Sequence, residues 1–187
     1  MADLLKMDPA RIARLRDPAR YDVVDPIKLL DVVNPVGDGP VVDVGAGVGF
    51  VTLPFARALP QRPIVAVDVL PEMLALLSED AADLANVETA TMPGPATIPL
   101  DDGMASLVVM LQVHHELDDA PSLMAECRRI LAPGAAICIV DWKPDPEAKG
   151  RRVSQERIAD DLKAAGLAEV VGHDLYEAHS VTVGRMI

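Results

Sequence analysis

Asp43, Gly45, Gly47, Gly49 and Asp68 are the residues of this chain best placed to do chemistry together. Four of them fall in the run Val41-Val42-Asp43-Val44-Gly45-Ala46-Gly47-Val48-Gly49-Phe50, an apolar strand carrying a carboxylate that passes into three alternating glycines. Glycines so spaced allow a tight turn and let the backbone approach a ligand that a Cβ would repel. A second short apolar run, Ile64 to Val67, ends in Asp68. An ionised carboxylate only accepts hydrogen bonds, which suits the two hydroxyls of a ribose. The pattern describes a nucleoside-bearing cofactor lying across the C-terminal edge of a parallel sheet.

Spacing discriminates between nucleosides. A dinucleotide fingerprint, G-x-G-x-x-G, places its third glycine where a helix start faces a pyrophosphate. Counted from Gly45, that position is Phe50. Asp43 inside the turn region would repel a pyrophosphate and attract a cationic amino group. S-adenosylmethionine, with adenosine, no phosphate and an ammonium, is therefore favoured over a nicotinamide dinucleotide.

With these residues the chain resembles the class I, Rossmann-like S-adenosylmethionine-dependent methyltransferases. Ile98-Pro99-Leu100-Asp101-Asp102 is similar to the family's loop before strand four, and Leu107 to Val113 with His114-His115-Glu116-Leu117 to strand four and its tip. Glu126 to Gly134 resembles the helix and turn before strand five; Arg152-Val153-Ser154 and Ala165-Gly166-Leu167 resemble the start and exit of the last helix. The pattern is most similar to small-molecule enzymes of the ubiquinone/menaquinone-biosynthesis type. The resemblance implies a three-layer α/β sandwich with a seven-stranded, mostly parallel sheet of order 3-2-1-4-5-7-6, strand seven antiparallel. It also implies a single methyltransferase domain over 1–187, with 1–25 as an N-terminal lid or arm. The chain departs from the family in lacking an acid for the adenine amine in Met92-Pro93-Gly94-Pro95, in Ser106 where an acid often opens strand four, and in Ala135 for the second glycine of a Pro-Gly-Gly turn.

The elements that must position these residues are also visible. Short apolar runs alternate with helical patterns, which argues a parallel α/β sheet. Helices are expected over Pro26 to Val33 and Phe50 to Ala58, with Pro54 bending the second or sitting in its first turn, and another opening at Pro71. Leu74, Leu77, Ala81 and Leu84 would bury one stripe of the latter, as Leu123, Cys127, Ile130 and Leu131 would in a helix ended by Pro133-Gly134. Ser154 caps a helix whose inward face is Ile158, Leu162 and Ala165, stopped by Gly166. Strands are expected at Val87 to Thr91, Ala135 to Val140, Ala168 to Val171 and Val181 to Met186, with a flexible loop at Pro144 to Gly150.

Composition sets outer bounds. A chain of 187 residues, half of them hydrophobic, is enough for one core without metal or disulfide. The two cysteines, Cys127 and Cys138, suggest a reducing, cytoplasmic setting, and no apolar run reaches membrane-span length. Lys6, Arg11, Arg14 and Arg16 precede no apolar h-region, so no secretory signal is expected. A net charge of −12 opposes nucleic acid as partner. The expected partner is a small-molecule methyl acceptor; a homo-oligomer is compatible with the sequence.

For the cofactor, Asp43 is assigned to the methionine ammonium, Gly45, Ala46, Gly47 and Gly49 to the loop beneath it, and Asp68 with Val69 to the ribose. Met92 is assigned to the adenine and Gln112 to the methionine end. A general base is required only if the acceptor starts protonated; His115 is the first candidate, His114 the second and Asp141 the third. Tyr21 and Trp142 are expected to meet substrate, and Arg20 to close over the cofactor or anchor the arm. His173, Tyr176 and His179 are expected at the surface or at strand ends. His114-His115 with Glu116, Asp118 and Asp119 makes a poor metal set, because adjacent extended residues point apart. Two cysteines are too few for arsenic methylation. Gln112-Val113-His114-His115 replaces the Asn/Asp-Pro-Pro-aromatic element of enzymes that methylate protein or DNA amines. The alternative is a non-catalytic S-adenosylmethionine-binding or interaction protein on the same fold; a nicotinamide oxidoreductase is disfavoured by Phe50.

Overall fold

The computed structural model describes residues 8–187, so Lys6 and the first part of the 1–25 arm lie outside the described residues. The chain runs α1 (Pro9–Leu15), α2 (Arg20–Val23), a 3-10 turn (Pro26–Asp31), β1 (Val41–Val44), α3 (Thr52–Ala58), β2 (Ile64–Asp68), α4 (Pro71–Asp80) and β3 (Val87–Thr91). It continues with β4 (Ala105–Leu111), a 3-10 turn (His114–Glu116), α5 (Ala120–Ile130), β5 (Leu131–Trp142), α6 (Gln155–Ala164), β6 (Ala168–His173) and β7 (His179–Arg185). The strands form one seven-stranded sheet of order β3-β2-β1-β4-β5-β7-β6. β1 through β5 are parallel, and β7 runs antiparallel to both β5 and β6. Order and strand directions are those expected.

Every residue of β1, β2 and β4 is buried. Such strands read as continuous apolar runs because helices cover both faces of a parallel sheet. On one face Val42, Val108, Met110, Ile137 and Ile139 pack against Leu123, Met124 and Cys127 of α5 and Ile158 and Leu162 of α6. On the other, Val41, Leu107, Val109, Cys138 and Val140 pack with Phe55 of α3, Leu29 and Tyr176. β1 lies between β2 and β4, so the order of successive strands reverses there and a crevice opens beyond the carboxyl ends of these strands.

Three local expectations are revised. Pro26–Asp31 is a 3-10 turn rather than an α-helix, capped by Asp25, whose side chain accepts from the Ile27 amide. α3 begins at Thr52, after the glycine run, with Pro54 in its first turn, where a missing N–H costs nothing. α5 ends at Ile130, and β5 already starts at Leu131. Pro133-Gly134 sits in an irregularity of β5, with pairing jumping from Ala105↔Leu131 to Leu107↔Ala136 and Gly134 at φ 78°.

Candidate cofactor and acceptor site

β1 carries Asp43 to the sheet edge, and the chain then turns through Gly45, Gly47 and Gly49 at φ 73°, 54° and 89°. The three glycines serve different ends. A Cβ at Gly45 would collide with the Val113 side chain, and one at Gly49 with Leu77. A Cβ at Gly47 would meet nothing within 4 Å. The protein's own packing therefore requires the outer two, while the middle one bares its backbone to open space.

Asp68 closes the turn from the tip of β2. Its Oδ2 accepts the Gly47 N–H at 2.8 Å and its Oδ1 the Leu70 N–H at 3.0 Å. Both oxygens are thereby oriented and each keeps acceptor capacity for a further donor. Asp43 lies beneath the loop, 2% exposed, with its Oδ2 accepting from Thr52 Oγ1 at 2.6 Å. Burial pushes the Asp43 carboxyl up to about 7; the Thr52 hydrogen bonds oppose the rise, and the charge of Asp68 adds to it. Two acids at a backbone turn that opens at Gly47, with no basic side chain among the described residues bonded to either, fit a cationic, phosphate-free nucleoside. Ala46 is buried in the loop, Val69 is exposed at its rim, and the buried Met92 donates its N–H to Asp68 O at 2.8 Å.

The tip of β4 supplies the other wall. Gln112 has φ 58°, a rare conformation for a non-glycine residue, and its N–H is bonded to Val140 O at 2.8 Å. Arg20 Nη2 donates to Gln112 Oε1 at 3.0 Å, and Gln112 Nε2 lies 2.8 Å from His179 Nε2. A guanidinium can only donate, so the amide oxygen must face Arg20 and the amide nitrogen must donate to His179. His179 is then the neutral Nδ1–H tautomer, in agreement with burial pushing its pKa down to about 4. The Tyr21 ring stacks on Phe50 at 4.5 Å, and Arg20 Cζ lies 4.1 Å from the same ring centroid. The arm thus lies against the glycine loop, with a cavity of about 290 Å³ lined by Leu15, Tyr21, Gly49, Phe50 and Leu53.

His115, Asp141 and Trp142 come together at the ends of β4 and β5. The fully buried Asp141 accepts three N–H groups: His115 Nδ1 at 2.7 Å, the His115 amide at 2.9 Å and the Trp142 amide at 2.7 Å. The Trp142 ring lies 3.9 Å from that of His179 and carries the Arg152 guanidinium at 4.5 Å. His114 points elsewhere. It is 2% exposed, with Nε2 3.2 Å from Asp161 Oδ2 but not aligned for a hydrogen bond. Burial lowers its pKa, with Asp161 opposing. His114 borders a separate cavity of about 350 Å³ lined also by Arg151, Arg152 and Arg157. Among the described residues no group of three His, Cys, Asp or Glu is disposed to hold a metal ion.

Thr52 and His179 are the polar residues of this edge that the sequence did not single out for it. His173 closes β6 and His179 opens β7, strand ends as expected, but His179 is fully buried, and Tyr176 is 6% exposed rather than at the surface, with its hydroxyl bonded to Asp25 O at 2.6 Å. The antiparallel β5–β7 pairing sets Trp142 opposite His179. A last strand beside strand five and running against it must begin where strand five ends, and that signal was available in the expected strand order.

The sheet order, the glycine turn and the two strand-tip acids together define the Rossmann-like fold of S-adenosylmethionine-dependent methyltransferases. The chain belongs to the methyltransferase-domain family, whose model matches residues 42–139, just over half of its length. A solved S-adenosylmethionine-dependent methyltransferase from Aquifex aeolicus is 27% identical, with a TM-score of 0.86 over 97% of this chain and 100% of that one. The demethylmenaquinone methyltransferase of Thermus thermophilus is 25% identical over 108 residues, 57% of this chain and 49% of its own length. Ribosomal RNA small subunit methyltransferase G of Cupriavidus metallidurans is 27% identical over 148 residues, 79% of this chain and 61% of its own. The chain thus spans about half to three-fifths of these two relatives.

Proposed function

We propose that this protein transfers a methyl group from S-adenosylmethionine to a small-molecule acceptor by in-line displacement. The observation that carries the reading is the Gly47 backbone, open to solvent space and bonded to an Asp68 carboxylate that keeps acceptor capacity. Asp68 would take the ribose hydroxyls, with Val69 at their edge and Met92 near the adenine. The ammonium would lie above Asp43 and feel its charge directly or through a bridging water. The loop from Gly45 to Gly49 would line the methionine chain, and Gln112 would approach its far end. When bound, the cofactor supplies an electrophilic methyl group, so the protein's task is position and exclusion of water.

A small acceptor is supported by the arm, whose Arg20 and Tyr21 lean on Phe50 and Gln112 and narrow the approach. It is also supported by the net charge of −12, which repels a polyanion. Tyr21 and Trp142 would flank the acceptor. No helix of the described residues is long and apolar enough to cross a membrane, and we take the cytoplasm as the place of action.

Calorimetric titration with S-adenosylhomocysteine tests the cofactor half. Asp68→Ala is expected to weaken binding by roughly 1.5–3 kcal/mol, the worth of hydrogen bonds to a charged group. Unchanged affinity would remove Asp68 from the site. Transfer of labelled methyl into a metabolite extract tests turnover; binding without any transfer would favour a non-catalytic cofactor-binding protein.

A further inference from the structure

His115 and Asp141 form a pair whose geometry says more than that a methyl group is moved. Asp141 is fully buried, and its two oxygens are engaged by three N–H donors, two of them backbone amides. An acid so buried presents no exposed oxygen to an acceptor. It does fix the neighbouring ring, because a carboxylate 2.7 Å from Nδ1 requires the proton on Nδ1 and leaves Nε2 with a bare lone pair. The His115 side chain is 16% exposed, so the ring is reachable from outside. It stands two residues beyond Val113, whose side chain packs on Gly45 of the cofactor loop. Glu116 Oε1 lies 4.0 Å from Nε2 and is 45% exposed, a route by which a proton can leave for water. Two acids thus flank the ring, Asp141 from β5 at Nδ1 and Glu116 from its own turn at Nε2.

We infer that His115 is the general base of this site, Asp141 its positioning residue, and that the acceptor is a weakly acidic O–H or ring N–H such as a phenol, enol or azole. This rests on the methyl-transfer reading above and narrows its substrate class. As the acceptor's O–H or N–H bond breaks, the proton passes to Nε2. The freed pair forms the new bond to methyl carbon, and the carbon–sulfur pair returns to sulfur. A thiolate or free amine would need no such base. His114 takes no part, since its ring is buried against Asp161 on the α6 side.

The full chain labelled with 15N-histidine, with and without S-adenosylhomocysteine, gives a readout independent of turnover. The neutral His115 ring is expected as the Nδ1–H tautomer, its Nδ1 proton slow to exchange. The opposite tautomer would overturn the inference. The same spectra report whether S-adenosylhomocysteine binds, so failure of the cofactor reading is seen separately. With 13C-methyl S-adenosylmethionine and a metabolite extract, the carbon shift of the transferred methyl identifies the atom methylated. Methyl on oxygen or ring nitrogen is expected, with kcat lowered about 10²–10⁴-fold in His115→Ala, KM little changed, and activity partly restored by raising pH. Asp141→Asn is expected to lower kcat in the same direction and to reverse the His115 tautomer. Methyl on sulfur or an aliphatic amine, at a rate His115→Ala does not alter, would refute it.

Discussion

Replacing Asp43 by Asn should make the unliganded protein more stable at neutral pH, by an amount that depends on pH in a defined way. Asp43 is 2% exposed and burial pushes its carboxyl from 3.8 up to about 7. A carboxyl whose pKa is higher folded than unfolded holds its proton longer in the native state. Its contribution is complete below pH 3.8, declines as pH rises towards 7, and is gone above it. The span from 3.8 to about 7, at 1.36 kcal/mol per pH unit, amounts to about 4 kcal/mol. Asn keeps an oxygen for the Thr52 hydroxyl but carries no charge, so the variant escapes this loss. His179 acts in the opposite sense. Its pKa is depressed to about 4, so its stabilisation grows from about pH 4 to 6.5. His114, whose pKa burial also lowers, adds to the His179 rise, so the wild-type profile alone mixes opposing slopes and only its difference from the variant isolates Asp43. Urea unfolding at pH 4.5, 5.5, 6.5 and 7.5 should show the variant pulling ahead by about 1.4 kcal/mol per pH unit, levelling off above pH 7. A gap that does not change with pH would refute the assignment of a charged, buried Asp43.

The same carboxyl should couple to the cofactor: wild-type affinity for S-adenosylhomocysteine should rise from pH 6 to 8, and calorimetry on Asp43→Asn should show no such rise. Gly47→Ala should fold with a loss of about 1–2 kcal/mol for its left-handed backbone, yet lose cofactor binding, because the new methyl enters open space above the turn. Gly49→Ala adds a collision with Leu77, so its melting temperature should fall further than that of Gly47→Ala in paired thermal scans. Asn86 offers its amide to the carbonyls of Ala56, Leu59 and Arg62 at 3.0–3.1 Å, tying the end of α3 and the loop before β2 to the start of β3; Asn86→Ala should cost about 1–3 kcal/mol by urea titration and leave cofactor affinity unchanged.

Much of the cofactor half was legible because its determinants are local. Asp43, the three glycines and Asp68 lie within 26 residues, and each acid sits at a strand tip that hydrophobic patterning locates. The strand order came from resemblance; patterning alone gives alternation, not neighbours. The different tasks of the glycines were not legible, since only the folded neighbours Val113 and Leu77 separate packing from ligand approach. The acceptor half was harder still. His115 and Asp141 are both candidate bases in the sequence, and only the folded chain shows the 2.7 Å contact that pairs them. His179 escaped because its burial depends on a strand that inserts between β5 and β6.

That insertion bears on how the protein is made. Gln112 is braced from β7 by His179 and from the arm by Arg20, so its unusual backbone is supported by segments at opposite ends of the described chain. During synthesis, β1 to β5 can pair as they emerge, leaving β5 with one bare edge until β7 arrives out of order. Until then the β4 tip lacks its imidazole prop, so a ribosome-bound chain would hold the glycine turn and its two acids before Gln112 is set. The wall at the β4 tip would be completed only when the β6–β7 hairpin pairs with β5.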